Sequence, residues 1–227
     1  MICPDWALPW FAPYRGVASP VLARLAAGQP VHQALGHERF EPAGPLAAGY
    51  EQHVAATGRV PTRHNAHDLF NGLVWLRCPA FKAALNRAHI AAPPAPPGRR
   101  GPVRDALTLL DESGLLLVAP APLQQALREQ DWGTLFITRR ALWQETRALV
   151  VGHALLEKLL APRPPLCARV LFVADAEAPQ LPATLCPADL PPLPVLGIPG
   201  WWAPNAAHGF YADDRIFRPK RLASAPA

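Results

Sequence analysis

Val60-Pro-Thr-Arg-His-Asn-Ala-His-Asp-Leu-Phe-Asn-Gly-Leu-Val-Trp75 joins an extended approach to an apolar helix and carries the densest polar cluster in the chain. Pro61 turns Val60 away from helical geometry, so the segment enters extended. Asn65 is a good N-cap, because its side-chain oxygen can accept from the free amides of the first turn. Asp68 falls within that turn, where the positive end of the helix dipole favours a carboxylate. Leu69, Phe70, Leu73, Val74 and Leu76 make a broad apolar face. His64, His67, Asp68, Asn71 and Trp75, three or four apart, line a second one. Pro79 closes the helix and opens another, from Ala80 to about His89.

Outward from this pair, Met1 to Gly16 is rich in aromatics and proline and reads as an extended arm whose rings bury against the body. Val21 to Ala27 predicts a short helix, and Tyr50 to Thr57 another, with Gly58 as its stop. Ala91 to Pro102 has polyproline character. Ala106-Leu-Thr-Leu-Leu110 and Leu115-Leu-Leu-Val118, separated by Asp-Glu-Ser-Gly, read as a core β-hairpin. Leu123 to Gln130 predicts a helix, Leu135-Phe-Ile137 a strand fragment, and Arg140 to Leu160 the longest helix of the chain. Cys167 to Ala174 is a strand by its β-branched apolar run. Prolines recur from Asp175 to Pro199, and the aromatic tail beyond them should dock back on the body. The expectation is an α+β fold, with helices on a small, largely antiparallel sheet and Pro-rich segments wrapped around it. It would form one domain over residues 1–227, with an arm over about 1–16 and an extension over about 175–227.

Half of the 227 residues are hydrophobic and 17% are charged, which excludes a disordered chain. The formal charge of +5 comes mainly from scattered arginines. Nucleic acid as a partner therefore has only weak support, with no basic patch behind it. Cys3, Cys78, Cys167 and Cys186 are isolated, as reduced thiols would be. The start of the chain lacks the pattern of a signal peptide, and its most apolar stretch, near Leu149 to Leu160, is broken by His153, Glu157 and Lys158. The expectation is a soluble cytoplasmic protein with no membrane partner. Dinucleotide, P-loop, nucleophile-elbow and zinc-ribbon motifs are absent.

A second cluster lies in Leu149-Val-Val-Gly-His-Ala-Leu-Leu-Glu-Lys-Leu-Leu160. His153 and Glu157, one turn apart, suit a shared metal or an oriented acid–base pair. Gly152 permits close approach of another element, such as the helix bearing His67. His67, Asp68 and His153 are then candidate ligands for a divalent metal such as zinc, and Glu157 and Asp68 candidate catalytic carboxylates. Arg63, His64, Asn71, Asp111 and Arg218 are further candidates. Asp111 and Glu112 fall at the expected hairpin tip, where turn chemistry accounts for them. Two functions remain open on these residues: a metal-dependent hydrolase, and a non-catalytic binding protein whose polar residues form a buried structural network.

The segments Pro61 to Trp75, Arg104-Asp-Ala-Leu-Thr-Leu-Leu-Asp-Glu-Ser-Gly114 and Gly152-His-Ala-Leu-Leu-Glu-Lys158 resemble a bacterial family called domain of unknown function 3025. So do Ile198-Pro-Gly-Trp201, Phe210-Tyr-Ala-Asp213 and Phe217-Arg-Pro219, in the same order. The resemblance runs from about Phe40 to Arg221 and implies no reaction. It does imply that His67, Asp68, Asn71, His153, Glu157 and Arg218 belong to a shared framework.

Overall fold

The computed structural model describes residues 4–94 and 101–220. Cys3 and the centre of the proline-rich loop expected between Ala91 and Pro102 lie outside those residues. Buried side chains from Trp10 to Phe217 join one hydrophobic cluster. Helices precede, interrupt and follow two small sheets, an α+β arrangement.

The first half is helical. Trp10, Phe11 and Tyr14 are buried, but the segment carrying them coils rather than extends, through a 3-10 turn at Ala12–Tyr14 into α1 (Arg15–Ala26). A short α2 (Val31–Ala34) follows. β1 (Phe40–Pro42) and β2 (Val60–Thr62) form a two-stranded parallel pair around α3 (Tyr50–Thr57). α3 ends at Gly58 with φ 69°, the left-handed cap that glycine supplies without a Cβ penalty. β2 delivers the chain to α4 (Ala66–Arg77), where the Asn65 side chain accepts from the Asp68 amide at 2.8 Å. α5 (Pro79–Ala91) begins on its proline.

The second half corrects the expected hairpin. Pro102–Ser113 is a helix, α6, and only Gly114–Val118 is a strand, β3. Ala106, Leu107 and Leu110 are the buried residues of α6, a helical spacing that a list of apolar letters conceals. Pro102 in the first turn and Asp105 behind it are ordinary helix-start chemistry. Asp111-Glu-Ser113 is its last turn rather than a hairpin tip.

The long helix expected over 140–160 is likewise three pieces. They are a 3-10 helix at Arg140–Glu145, strand β4 (Arg147–Val150) and the short α8 (His153–Lys158). β4 pairs antiparallel with β3, and that ladder overrides the helical propensity of the segment. Leu135-Phe-Ile137 lies in a π-helical turn, Thr134–Thr138, following α7 (Ala121–Glu129). β5 (Cys167–Phe172) is the expected strand and runs parallel to β3. β6 (Pro192–Pro194) adds antiparallel to β5. The order β4-β3-β5-β6 puts the proline strand at an edge, where a missing N–H does least harm.

The tail docks back through 3-10 turns, burying Tyr211 and Phe217 against Phe136 and bringing Trp201 to 5.9 Å from Trp10. Among the described residues no helix is long and apolar enough to cross a membrane.

Candidate metal centre

β3 is the strut that assembles the site. α6 runs directly into it at Gly114, and the Val151 and Gly152 amides both donate to the Gly114 carbonyl, at 2.9 Å each. The end of α6 and the start of α8 are therefore pinned side by side. A Cβ on Gly152 would lie 2.4 Å from the Gly114 nitrogen and 2.5 Å from the Ser113 Cα, so only glycine fits here. Gly152 does permit a close approach, but the backbone it meets is the α6–β3 junction. α4 packs against α8 as well.

Three side chains meet where these elements converge. His67 from α4 and His153 from α8 set their Nε2 atoms 3.0 Å apart, with ring centroids at 4.4 Å. Glu112, from the last turn of α6, places Oε2 3.7 Å from the same His153 nitrogen. One ligand atom from each of His67, Glu112 and His153 falls within 4.8 Å of the others, spacing compatible with a single bound ion.

The outer ring nitrogens face carboxylates. His67 Nδ1 lies 3.1 Å from Glu157 Oε2, and His153 Nδ1 lies 3.9 Å from Asp111 Oδ2. A carboxylate only accepts, so Glu157 holds the His67 proton on Nδ1 and leaves the Nε2 lone pair facing inward. Asp111 lies on the Nδ1 side of His153 but beyond hydrogen-bond reach, and that nitrogen has no hydrogen-bond partner among the described residues. Two lone pairs 3.0 Å apart repel unless a cation or a proton lies between them. Carboxylates behind the ring nitrogens that point away from the metal are the usual outer shell of histidine-ligated ions.

Burial sets the ionisation of this group. It pushes the His153 imidazolium down to about 4, against the opposing pull of Asp111, so the ring is neutral at pH 7. Burial also pushes Glu112 up, and the neighbouring Asp111 adds to it. For Asp111 burial acts upward too, but Lys82, His153 and a hydrogen bond from Lys82 outweigh it and hold the carboxyl below its ordinary range. Lys82 is 4% exposed and forms a close ion pair with Asp111. His67 is 33% exposed, which leaves the cluster open on one side to a cavity of about 470 Å³. That cavity is also lined by Tyr50, Arg63, Asp68, Asn71, Trp75 and His89, among others.

The remaining sequence candidates distribute as follows. Asp68 faces the same cavity but is held by Arg63, through the Arg63 amide at 2.6 Å and guanidinium bonds of 2.9 and 3.1 Å. It is the partner of Arg63 and lies outside the three-residue cluster. Glu157 stands behind His67. His64 accepts from the Val31 amide through Nδ1 and lines a separate apolar cavity of about 700 Å³ on the Glu157 side. Asn71 donates to the Tyr50 hydroxyl. Arg218 lines another cavity with Trp132 and Cys167, away from the cluster's own. Glu112 completes the cluster in the place expected of Asp68. A helical reading of Pro102 to Ser113 would have put it on the terminal turn, beside Asp111.

No curated protein and no solved structure matches the chain. The family model for "Protein of unknown function (DUF3025)" matches residues 39–221, a span that contains His67, Glu112, His153 and Glu157. With most of its length inside that match, the chain belongs to the DUF3025 family.

Proposed function

We propose that the protein is a metal-dependent hydrolase. His67 Nε2, His153 Nε2 and the Glu112 carboxylate are the ligands, and a divalent ion such as zinc is the cofactor. The observation that carries this reading is the inward meeting of two imidazole nitrogens at 3.0 Å beside the Glu112 carboxylate, with Glu157 in hydrogen-bond contact behind His67. Glu157 favours the His67 tautomer whose Nε2 lone pair faces inward, and the buried His153 Nδ1 has no hydrogen-bond partner among the described residues.

Three protein ligands leave a coordination position for water or substrate, the pattern of catalytic rather than structural zinc sites. An ion held there would acidify water into a nucleophile and polarise a substrate carbonyl. His153, neutral because it is buried, is ready to bind metal at pH 7 without releasing a proton. Glu157 orients His67, and Asp68 keeps Arg63 in place on the cavity wall.

The test is elemental analysis of the untagged protein before any chelator is used, repeated for His67→Ala, His153→Ala and Glu112→Ala. Near-stoichiometric metal in the parent, lost in each variant, is the expected result. If the parent still holds no metal after incubation with zinc, manganese or iron salts and desalting, the hydrolase reading falls.

A further inference from the structure

The cavity beside the cluster has an unusual balance: its arginine and lysine are matched internally while some of its dipoles are not. Six aspartate, glutamate, lysine and arginine side chains line it. Arg63 is taken by Asp68 and Lys82 by Asp111. Glu112 belongs to the cluster, where a divalent ion would more than offset it. The one left over, Glu51, is acidic. No lining cation is therefore spare for a phosphate or a carboxylate, and an anionic ligand would meet Glu51 and Glu112 unopposed except by the ion itself.

The unmatched neutral groups lie side by side. His67, Asn71 and Trp75 are successive members of one stripe on α4, each one turn from the next, so Asn71 sits about 6 Å along the axis from His67. The Asn71 amide nitrogen donates to the Tyr50 hydroxyl at 3.1 Å. This leaves Asn71 Oδ1 as a buried acceptor without a partner. The Tyr50 oxygen, already accepting from Asn71, has its own proton free, with no acceptor for it among the described residues. Burial pushes the Tyr50 pKa up, so that proton stays in place at pH 7. A free acceptor and a free donor on neighbouring atoms match a group that offers an N–H beside a C=O.

We infer that the ligand of this cavity is an uncharged molecule bearing a carboxamide or ureide group, which pairs with Asn71 Oδ1 and the Tyr50 hydroxyl about one helical turn from the metal cluster. The inference rests on the metal reading for its chemistry: the bond cleaved would be a carbonyl–nitrogen bond. Water would add its oxygen to the carbonyl carbon as the carbonyl–nitrogen bond breaks; one of its protons would go to the departing nitrogen and the other to solvent, giving an amine and a carboxylate. The binding claim, however, can be read without turnover.

The experiment is calorimetric titration of the zinc-loaded protein with hydantoin, a small neutral cyclic ureide. Succinate, inorganic phosphate and propylamine serve as charged comparators. Hydantoin is expected to bind at least about tenfold more tightly than each comparator, a difference of about 1.4 kcal/mol. Tyr50→Phe and Asn71→Leu should each weaken it by about fivefold, the worth of one neutral hydrogen bond, with zinc content unchanged. Zinc retained with no hydantoin binding overturns the ligand class and leaves the metal site standing. So does equal or tighter binding of a charged comparator, or two variants that bind hydantoin like the parent. Failure of the parent to hold metal removes the hydrolase reading and this inference with it.

Discussion

Lys82→Met is the sharpest test of how the cluster is held together. The Lys82 side chain is 4% exposed, and its ammonium pairs closely with Asp111, itself 23% exposed. Methionine preserves much of the unbranched stem while deleting the charge, which also lies 5.6 Å from the Trp75 ring centroid. Asp111 would be left as a carboxylate in a buried site with only the neutral His153 beside it. Removing one member of a buried pair costs about 3–5 kcal/mol, and the residual exposure of Asp111 puts this case near the lower end, about 3 kcal/mol. Urea unfolding followed by tryptophan fluorescence measures it. Replacing the carboxylate as well, in Lys82→Met/Asp111→Leu, should restore most of the lost stability, since no unpaired charge remains. Zinc affinity should not recover, because His153 then lacks the carboxylate behind Nδ1, and such outer-shell losses cost about 10- to 100-fold. A single variant less than about 1 kcal/mol below the parent, on the scale of an exposed pair, would refute the account of the Lys82–Asp111 pair. A double variant that binds zinc like the parent would refute the orienting role of Asp111.

Gly152→Ala should be severe, because the new methyl meets backbone atoms of Ser113 and Gly114 at 2.4–2.6 Å, and backbone cannot swing aside as a side chain can. A loss of about 3 kcal/mol or more, at the upper end for overpacking, should appear in thermal melts together with weakened metal binding. Gly16→Ala, where a Cβ meets nothing within 4 Å, is the control. In chelator-treated protein, acid should destabilise the fold between pH 6.5 and about 4. The His153 pKa is depressed from 6.5 to about 4 in the fold, so over that interval the unfolded chain binds the extra proton. Stability is then retained above pH 6.5 and lost as the pH falls, by up to about 3 kcal/mol at 1.36 kcal/mol per unit. His153→Gln should flatten the slope in that window whatever it does to absolute stability, and an unchanged slope would assign it to another group.

What could be read from the chain in advance was what depends on near neighbours. Asn65 as cap, Gly58 as stop and Pro79 as helix opener each follow from chemistry within one or two turns, and the structure contains all three. The errors share a cause. Ala106 to Leu110 and Leu149 to Leu160 are apolar runs whose conformation is decided by β3, the strand that the first leads into and that Leu149 and Val150 pair with. Periodicity weakens as a guide where nearly every residue is apolar. Mistaking α6 for a hairpin arm hid Glu112 and Asp111 behind an explanation from turn chemistry. His67 stood out within the densest polar cluster and His153 because it interrupts an apolar run, whereas their meeting depends on the packing of α4 against α8 across a sequence separation of 86.

That separation also governs when the cluster comes into existence. Its ligands arrive on three helices, and two of these are held in place only once β4 has paired with β3 and the Gly114 carbonyl has taken both amides of the Val151–Gly152 pair. Local helices can form early, but loop closure of this span must precede any meeting of His67 with His153. In stopped-flow kinetics zinc should therefore leave the refolding rate nearly unchanged and slow unfolding instead, as expected for an interaction absent from the transition state. The ion would act as a latch on a finished structure rather than a seed for it.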